Sequence, residues 1–170
     1  TSILLARAQK VISVEFDEDL ARKLPGQFPG KNLEVIHQDI LEYDTSHLPE
    51  GYKVVANVPY YITSKIIKKF MTDSNKPSVV SLLIQKEVAE RVAAGPGDMS
   101  ILAVSAQLYA DVSLGDVVPA ELFTPPPKVD SQVVTLRIKP LELPDGIDEK
   151  QLFRVVTAGF REKKKKLRSS

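Results

Sequence analysis

The sequence contains no cysteine, which excludes disulfides, thiolate nucleophiles and cysteine-based zinc sites together. Its only two histidines, His37 and His47, are too few to build a metal cluster, so no metal is expected. No apolar run approaches the roughly 20 residues needed to cross a bilayer. The opening stretch, Thr1 to Gln9, lacks the charged-then-apolar order of a secretory leader. The expectation is a cytoplasmic protein without a membrane partner, whose chemistry comes from carboxylates, amides, carbonyls and aromatic rings.

What is present suits one ordinary domain with a buried core: 170 residues, 43% hydrophobic and 26% charged. The net charge of +1 hides an asymmetry. Six of the 23 basic residues and one acid fall in the last ten positions, leaving 17 basic against 21 acidic side chains in the rest. The run comprises Arg161, Lys163, Lys164, Lys165, Lys166 and Arg168. Such a run suits a solvated helix face or tail as well as a nucleic-acid contact, and charge alone does not choose between them.

Short β-rich apolar runs at Val11–Phe16, Leu33–His37, Val54–Asn57 and Val79–Ile84 read as buried parallel strands. Between them the pattern predicts helices over Asp17–Leu24, Thr63–Met71, Lys86–Ala94 and Ser100–Ala110. Breaks come at Pro25-Gly26, Pro29-Gly30, Pro49-Glu50-Gly51 and Gly95-Pro96-Gly97. This alternation predicts an α/β fold. Val112–Val118 and Ser131–Ile138 read as a closing pair of strands, joined through the proline-rich loop Phe123-Thr124-Pro125-Pro126-Pro127, whose length suggests function. Residues 1–139 form the main domain, 140–148 a linker, and 149–170 the start of a C-terminal helical region, with one helix over Glu149–Leu167. Thr1 to Lys10 reads as a helix already in progress, with no strand before it.

In doubly wound sheets, ligands sit beyond the carboxyl ends of the strands, where an acid ending the second strand accepts from ribose hydroxyls. Glu15 has that position, although it also suits a surface acid at a helix start, and position alone does not separate NAD from S-adenosylmethionine (SAM). Asp39 follows the next strand and is suited either to a cofactor amino group or to capping the turn Ile40-Leu41-Glu42. The sharpest signal is Asn57-Val58-Pro59-Tyr60, directly after a strand. The amino nitrogen of adenine is a poor nucleophile because its lone pair is delocalised into the ring. An enzyme that methylates it should therefore supply acceptors that favour the pyramidal amine, and the Asn57 side-chain oxygen and Val58 carbonyl qualify. Pro59 sets the turn without adding a donor, and Tyr60 offers a face for an extruded base. The following residue, Tyr61, is expected to pack. A sulfonium-activated methyl group needs no covalent nucleophile and no metal, only proximity and oriented dipoles.

These motifs, with Val14-Glu15-Phe16-Asp17, Gln38-Asp39, Gln85-Lys86-Glu87-Val88-Ala89 and Phe123-Thr124-Pro125-Pro126-Pro127-Lys128-Val129-Asp130-Ser131, make nearly the whole chain resemble the KsgA-type ribosomal RNA adenine dimethyltransferases. The resemblance implies a Rossmann-like SAM-dependent methyltransferase fold, with a mixed, mostly parallel sheet and helices on both faces. It places Glu15 on the SAM ribose, Phe16 against its adenine, Asp39 at the adenine amino group, and Asn57 near both methyl donor and target. Phe123 would stack on the target base opposite Tyr60. The implied reaction is dimethylation of two adjacent adenines near the 3′ end of small-subunit rRNA during ribosome biogenesis. The implied partner is that RNA or the immature small subunit, with the full-length protein a monomer.

The sequence departs from the family pattern in several places. The loop Gly95-Pro96-Gly97-Asp98-Met99-Ser100 is short and lacks the family's Tyr-Gly pair. The glycine-rich SAM loop, the first strand feeding it, and the small helical C-terminal domain are missing from these residues. A gap is therefore expected beside Val11–Phe16, and the fragment alone is expected to be inactive. Competing readings are a large-subunit (macrolide-resistance type) rRNA methyltransferase, a non-catalytic nucleic-acid-binding relative of the mitochondrial transcription factor type, and an NAD-linked oxidoreductase. Intact Asn57-Val58-Pro59-Tyr60 and Glu15 disfavour the non-catalytic reading, the absence of an evident hydride-transfer acid or base beside the tetrapeptide disfavours the oxidoreductase, and Thr124 to Ser131 resembles the small-subunit branch.

Overall fold

The computed structural model describes residues 1–143 and 145–161. The chain forms two compact units, Thr1–His47 and Leu48–Ser170.

In the first unit, a short helix α1 (Ser2–Leu5) precedes strand β1 (Val11–Glu15), helix α2 (Glu18–Gln27) and strand β2 (Leu33–His37). The helix expected over Thr1 to Lys10 ends early because the backbone turns at Ala6. The Gln9 carbonyl is then taken by the Asn32 side-chain amide at 2.6 Å, committing the chain to strand entry. Asp17 caps α2 by accepting from the Leu20 N–H at 2.9 Å, as its place before an amphipathic run predicts. Pro25 stands inside the last turn of α2, where its missing N–H removes one bond, and the helix ends two residues later at Gln27. β1 and β2 pair in parallel, with Glu15 opposite His37. Among the described residues, β1 is paired on one side only, as the expected gap requires.

The second unit holds β3 (Lys53–Asn57), α3 (Thr63–Thr72), β4 (Val79–Gln85), α4 (Lys86–Val92), α5 (Ile101–Tyr109), β5 (Ala110–Val118), β6 (Ser131–Ile138) and α6 (Glu149–Arg161). Its sheet runs β3-β4-β6-β5; β3 and β4 are parallel, while β6 is antiparallel to both of its neighbours. Strand periodicity puts Val80, Leu82 and Ile84 on one face of β4, all fully buried. Val134 and Leu136 do the same on β6. On α3 the buried set is Ile66, Ile67, Phe70 and Met71, the spacing of a helix with one apolar face. Small residues, Ala103 and Ala106, let α5 pack against α4. The end of α4 would leave carbonyls unpaired, and Gln107 of α5 answers by donating its amide to Val92 and Ala94, each at 2.9 Å. Strand β5 carries a bulge between Leu114 and Val117. A side chain at Gly115 would come within 3.2 Å of the Val133 Cβ, a tight contact that Val133 would have to yield to by a few tenths of an ångström.

Between Ile138 and Glu149 the described residues form no regular element. Helix α6 is tied to the core through the buried Tyr109 hydroxyl, which donates to the Glu149 carboxylate. Burial, then that carboxylate, holds the Tyr109 phenol well above its ordinary pKa of 10.0. The stability this favours is complete below pH 10.0 and is lost as pH rises through the elevated value. Tyr109→Phe should cost about 1 kcal/mol and speed amide exchange along α6 while leaving β4 protected. Unchanged exchange in α6 would show that the contact does not anchor the helix.

Candidate functional site

Asn57 closes β3 opposite Leu83, and the Val58 N–H donates to the Leu83 carbonyl at 3.2 Å, extending the ladder by one bond. The Val58 side chain is 3% exposed and anchors the turn in the core. Pro59 then diverts the chain, and the following 3-10 turn, Tyr60–Ile62, is closed by the Ile62 N–H on the Pro59 carbonyl at 3.2 Å. Among the described residues, this leaves the Val58 carbonyl outside ladder and helix, and the exposed Asn57 side chain without a hydrogen bond. Two neutral acceptors thus stand free at a strand end.

Tyr60 is half-buried, and its hydroxyl shares a 2.9 Å hydrogen bond with Ser131 Oγ, which orients the ring. Ser131 is buried at the start of β6, beside Gln85. The sequence places Ser131 at the junction of the proline-rich block and the closing strand but gives no sign of its partner, because the Tyr60 hydroxyl reaches it only through the fold. Asp130 closes that loop: its side chain accepts from the Ala120 N–H at 2.9 Å and its carbonyl from the Lys86 N–H at 3.0 Å. The closed loop brings Phe123, Pro125 and Pro127 against Asn57, Val58, Pro59 and Tyr60 around an open cleft of 340 Å³. The Thr124–Pro125 peptide is cis. Phe123 is half-buried in this wall.

Tyr61 corrects the expectation that it packs: it is 84% exposed. Consecutive side chains in a 3-10 turn diverge by a third of a revolution, so once Tyr60 faces the cleft, Tyr61 faces solvent.

In the first unit, Glu15, Phe16 and Asp39 gather at the carboxyl ends of the parallel strands β1 and β2. Glu15 Oε1 accepts from the Asp17 N–H at 2.9 Å, and Asp39 Oδ1 accepts from the Leu41 N–H at 2.9 Å, so each carboxylate also caps a turn. One oxygen of each remains without a partner among the described residues. Phe16 presents a ring that is 74% exposed, and its carbonyl lies 3.0 Å from His37 Nε2. No group of three or more His, Cys, Asp or Glu among the described residues could hold a metal ion. No described helix is long and apolar enough to cross a membrane. Lys163, Lys164, Lys165, Lys166 and Arg168 lie outside the described residues, as does the side chain of Arg161.

Comparison with known proteins agrees with this geometry. The chain is 40% identical to the ribosomal RNA small subunit methyltransferase A of Dehalococcoides mccartyi, over 98% of its own length and 59% of that protein's. It is 36% identical to the protein of the same name from Fusobacterium nucleatum, covering 98% and 65%. Among solved structures, the 23S rRNA methyltransferase ErmE superposes with a TM-score of 0.79 at 30% identity, covering 93% of this chain and 64% of that one. A dimethyladenosine transferase from Plasmodium falciparum gives 0.77 at 29% identity, covering 98% and 61%. The chain thus spans about three fifths of the length of its first curated relative. A family model described as Ribosomal RNA adenine dimethylase matches residues 1–170, and the chain belongs to that family, with its Rossmann-like methyltransferase fold.

Proposed function

We propose that the full-length protein is a SAM-dependent rRNA adenine dimethyltransferase acting on two adjacent adenines of small-subunit rRNA. The observation that carries this reading is the cleft in which Asn57 and the Val58 carbonyl stand free beside the rings of Tyr60 and Phe123. An adenine drawn out of its stack would lie between the two aromatic faces, with its amino group towards the two acceptors. These acceptors are pre-oriented by the ladder bond at Val58 and by Pro59, so little reorganisation opposes the developing charge on the amine. The pinned Tyr60 hydroxyl holds the stacking face in place.

The groups on β1 and β2 suit the adenosine half of SAM: free carboxylate oxygens on Glu15 and Asp39 for ribose hydroxyls and an amino group, and the exposed Phe16 ring for the base. When bound, SAM supplies a sulfonium-activated methyl group. Asn57 would serve the donor side as well as the target amine. The basic run from Arg161 through Lys163, Lys164, Lys165, Lys166 and Arg168 would add phosphate contacts. Small-subunit RNA is favoured over large-subunit RNA by the relatives' names: identity reaches 40% with small-subunit methyltransferases and 30% with the 23S enzyme.

The test is to incubate full-length protein with SAM and unmodified small-subunit or large-subunit rRNA and to map the product by mass spectrometry. Dimethyladenosine at an adjacent pair in small-subunit RNA is expected. Methylation confined to large-subunit RNA, or none at all, overturns the reading.

A further inference from the structure

We infer that Tyr61, Lys65 and Lys68 form a ledge beside the methylation cleft that holds the single-stranded RNA flanking the target adenine. The inference rests on the rRNA substrate proposed above and names a surface for it outside the catalytic motif. Tyr61 directly follows the cleft residue Tyr60, yet it is turned outward and 84% exposed. A large aromatic ring left in water at the rim of a base-binding cleft forfeits its burial, and stacking an unpaired base would recover it.

The residues that follow continue this stripe. Helix α3, which starts two residues after Tyr61, buries Thr63, Ile66, Ile67, Phe70 and Met71 and leaves Ser64, Lys65, Lys68 and Thr72 exposed, with Lys65, Lys68 and Thr72 on one face of the helix. Away from α3, ion pairs join Lys10 with Glu34, Arg22 with Asp19, Lys86 with Glu90, Arg91 with Glu87, and Lys139 with Asp111, while Arg7, Lys23, Lys31 and Lys53 are exposed outside any of them. On α3 itself, Lys69 pairs with Asp73 at 3.0 Å. Lys65 and Lys68 have no carboxylate partner among the described residues. Lys65 also stands in the first turn of α3, where the helix dipole disfavours a cation and where no acid is present. A polyanion laid along this face would supply negative charge to both lysines. Single-stranded RNA fits better than duplex, because only an unstacked base offers its face to Tyr61.

The test compares wild-type full-length protein with Tyr61→Ala, Tyr61→Phe and the pair Lys65→Gln, Lys68→Gln, using an end-labelled small-subunit rRNA hairpin with adjacent loop adenines and a fully paired control duplex. Tyr61→Ala should weaken hairpin binding about tenfold and leave duplex binding unchanged, with Tyr61→Phe restoring affinity. The lysine pair should flatten the logarithmic salt slope by about 1.4. The KM for RNA should rise in both while kcat stays within about twofold, since neither touches the reacting atoms. All three positions are exposed, so melting temperatures should not change and a folding defect would be visible separately. Unchanged hairpin affinity and salt slope alongside normal methylation overturn the ledge alone, and wild-type binding too weak to measure overturns it as well. If wild type binds but never methylates, the enzymatic reading falls, and the variants' affinity still decides the ledge.

Discussion

Asn57→Ala should lower single-turnover methyl transfer by about a hundredfold or more while leaving SAM affinity within a few-fold of wild type. The substitution separates chemistry from folding unusually well. Asn57 is exposed at the end of β3, and its side chain makes no hydrogen bond among the described residues, so its removal should barely change the melting temperature. What disappears is one of two acceptors positioned for the target amine. The Val58 carbonyl stays in place, because the Val58 N–H remains bonded to Leu83 and its side chain remains buried. Residual turnover above background would then report that carbonyl together with aromatic stacking. An unchanged methylation rate would remove Asn57 from the mechanism, and a parallel collapse of SAM affinity would make its donor-side role the dominant one.

Leu136→Ala should be the most destabilising of the substitutions considered, by about 2–5 kcal/mol, set against a total of about 5–15 kcal/mol for a typical domain. Leu136 is fully buried on β6, opposite Val80 of β4 and Val112 of β5. Truncation there removes apolar contacts and leaves a cavity that strands paired on both sides cannot collapse to fill. Leu114→Ala on β5, where the side chain is 42% exposed, should cost well under half as much. Urea unfolding of the two variants provides the comparison, and a loss below about 1 kcal/mol for Leu136→Ala would contradict the assigned core. Because β6 begins at Ser131, the partner of the Tyr60 hydroxyl, loosening this strand should also weaken ordering at the cleft.

Local signals in the chain were sufficient for the alternation of strands and helices, the helix starts at Asp17 and Ser100, and the turn after Asn57, because each depends on residues close together in sequence. Pro59 acts on its immediate neighbours whatever the rest of the molecule does, and an N-cap needs only the residue three positions on. The resemblance carried by Asn57-Val58-Pro59-Tyr60 and the proline-rich block was likewise legible before any coordinates. Tertiary structure alone decided how these pieces combine. Tyr60 and Ser131 are 71 positions apart and meet only because β6 inserts between β4 and β5 in a particular register. That register brings Asp130 to the Lys86 N–H, closes the loop and sets Phe123 against the cleft. It also reverses the expectation for Tyr61, since a ring packs only if a neighbour covers it, and the 3-10 turn gives the inward direction to Tyr60. Composition and spacing say which groups are available; strand pairing across the sheet determines which of them face one another and which are left to face solvent.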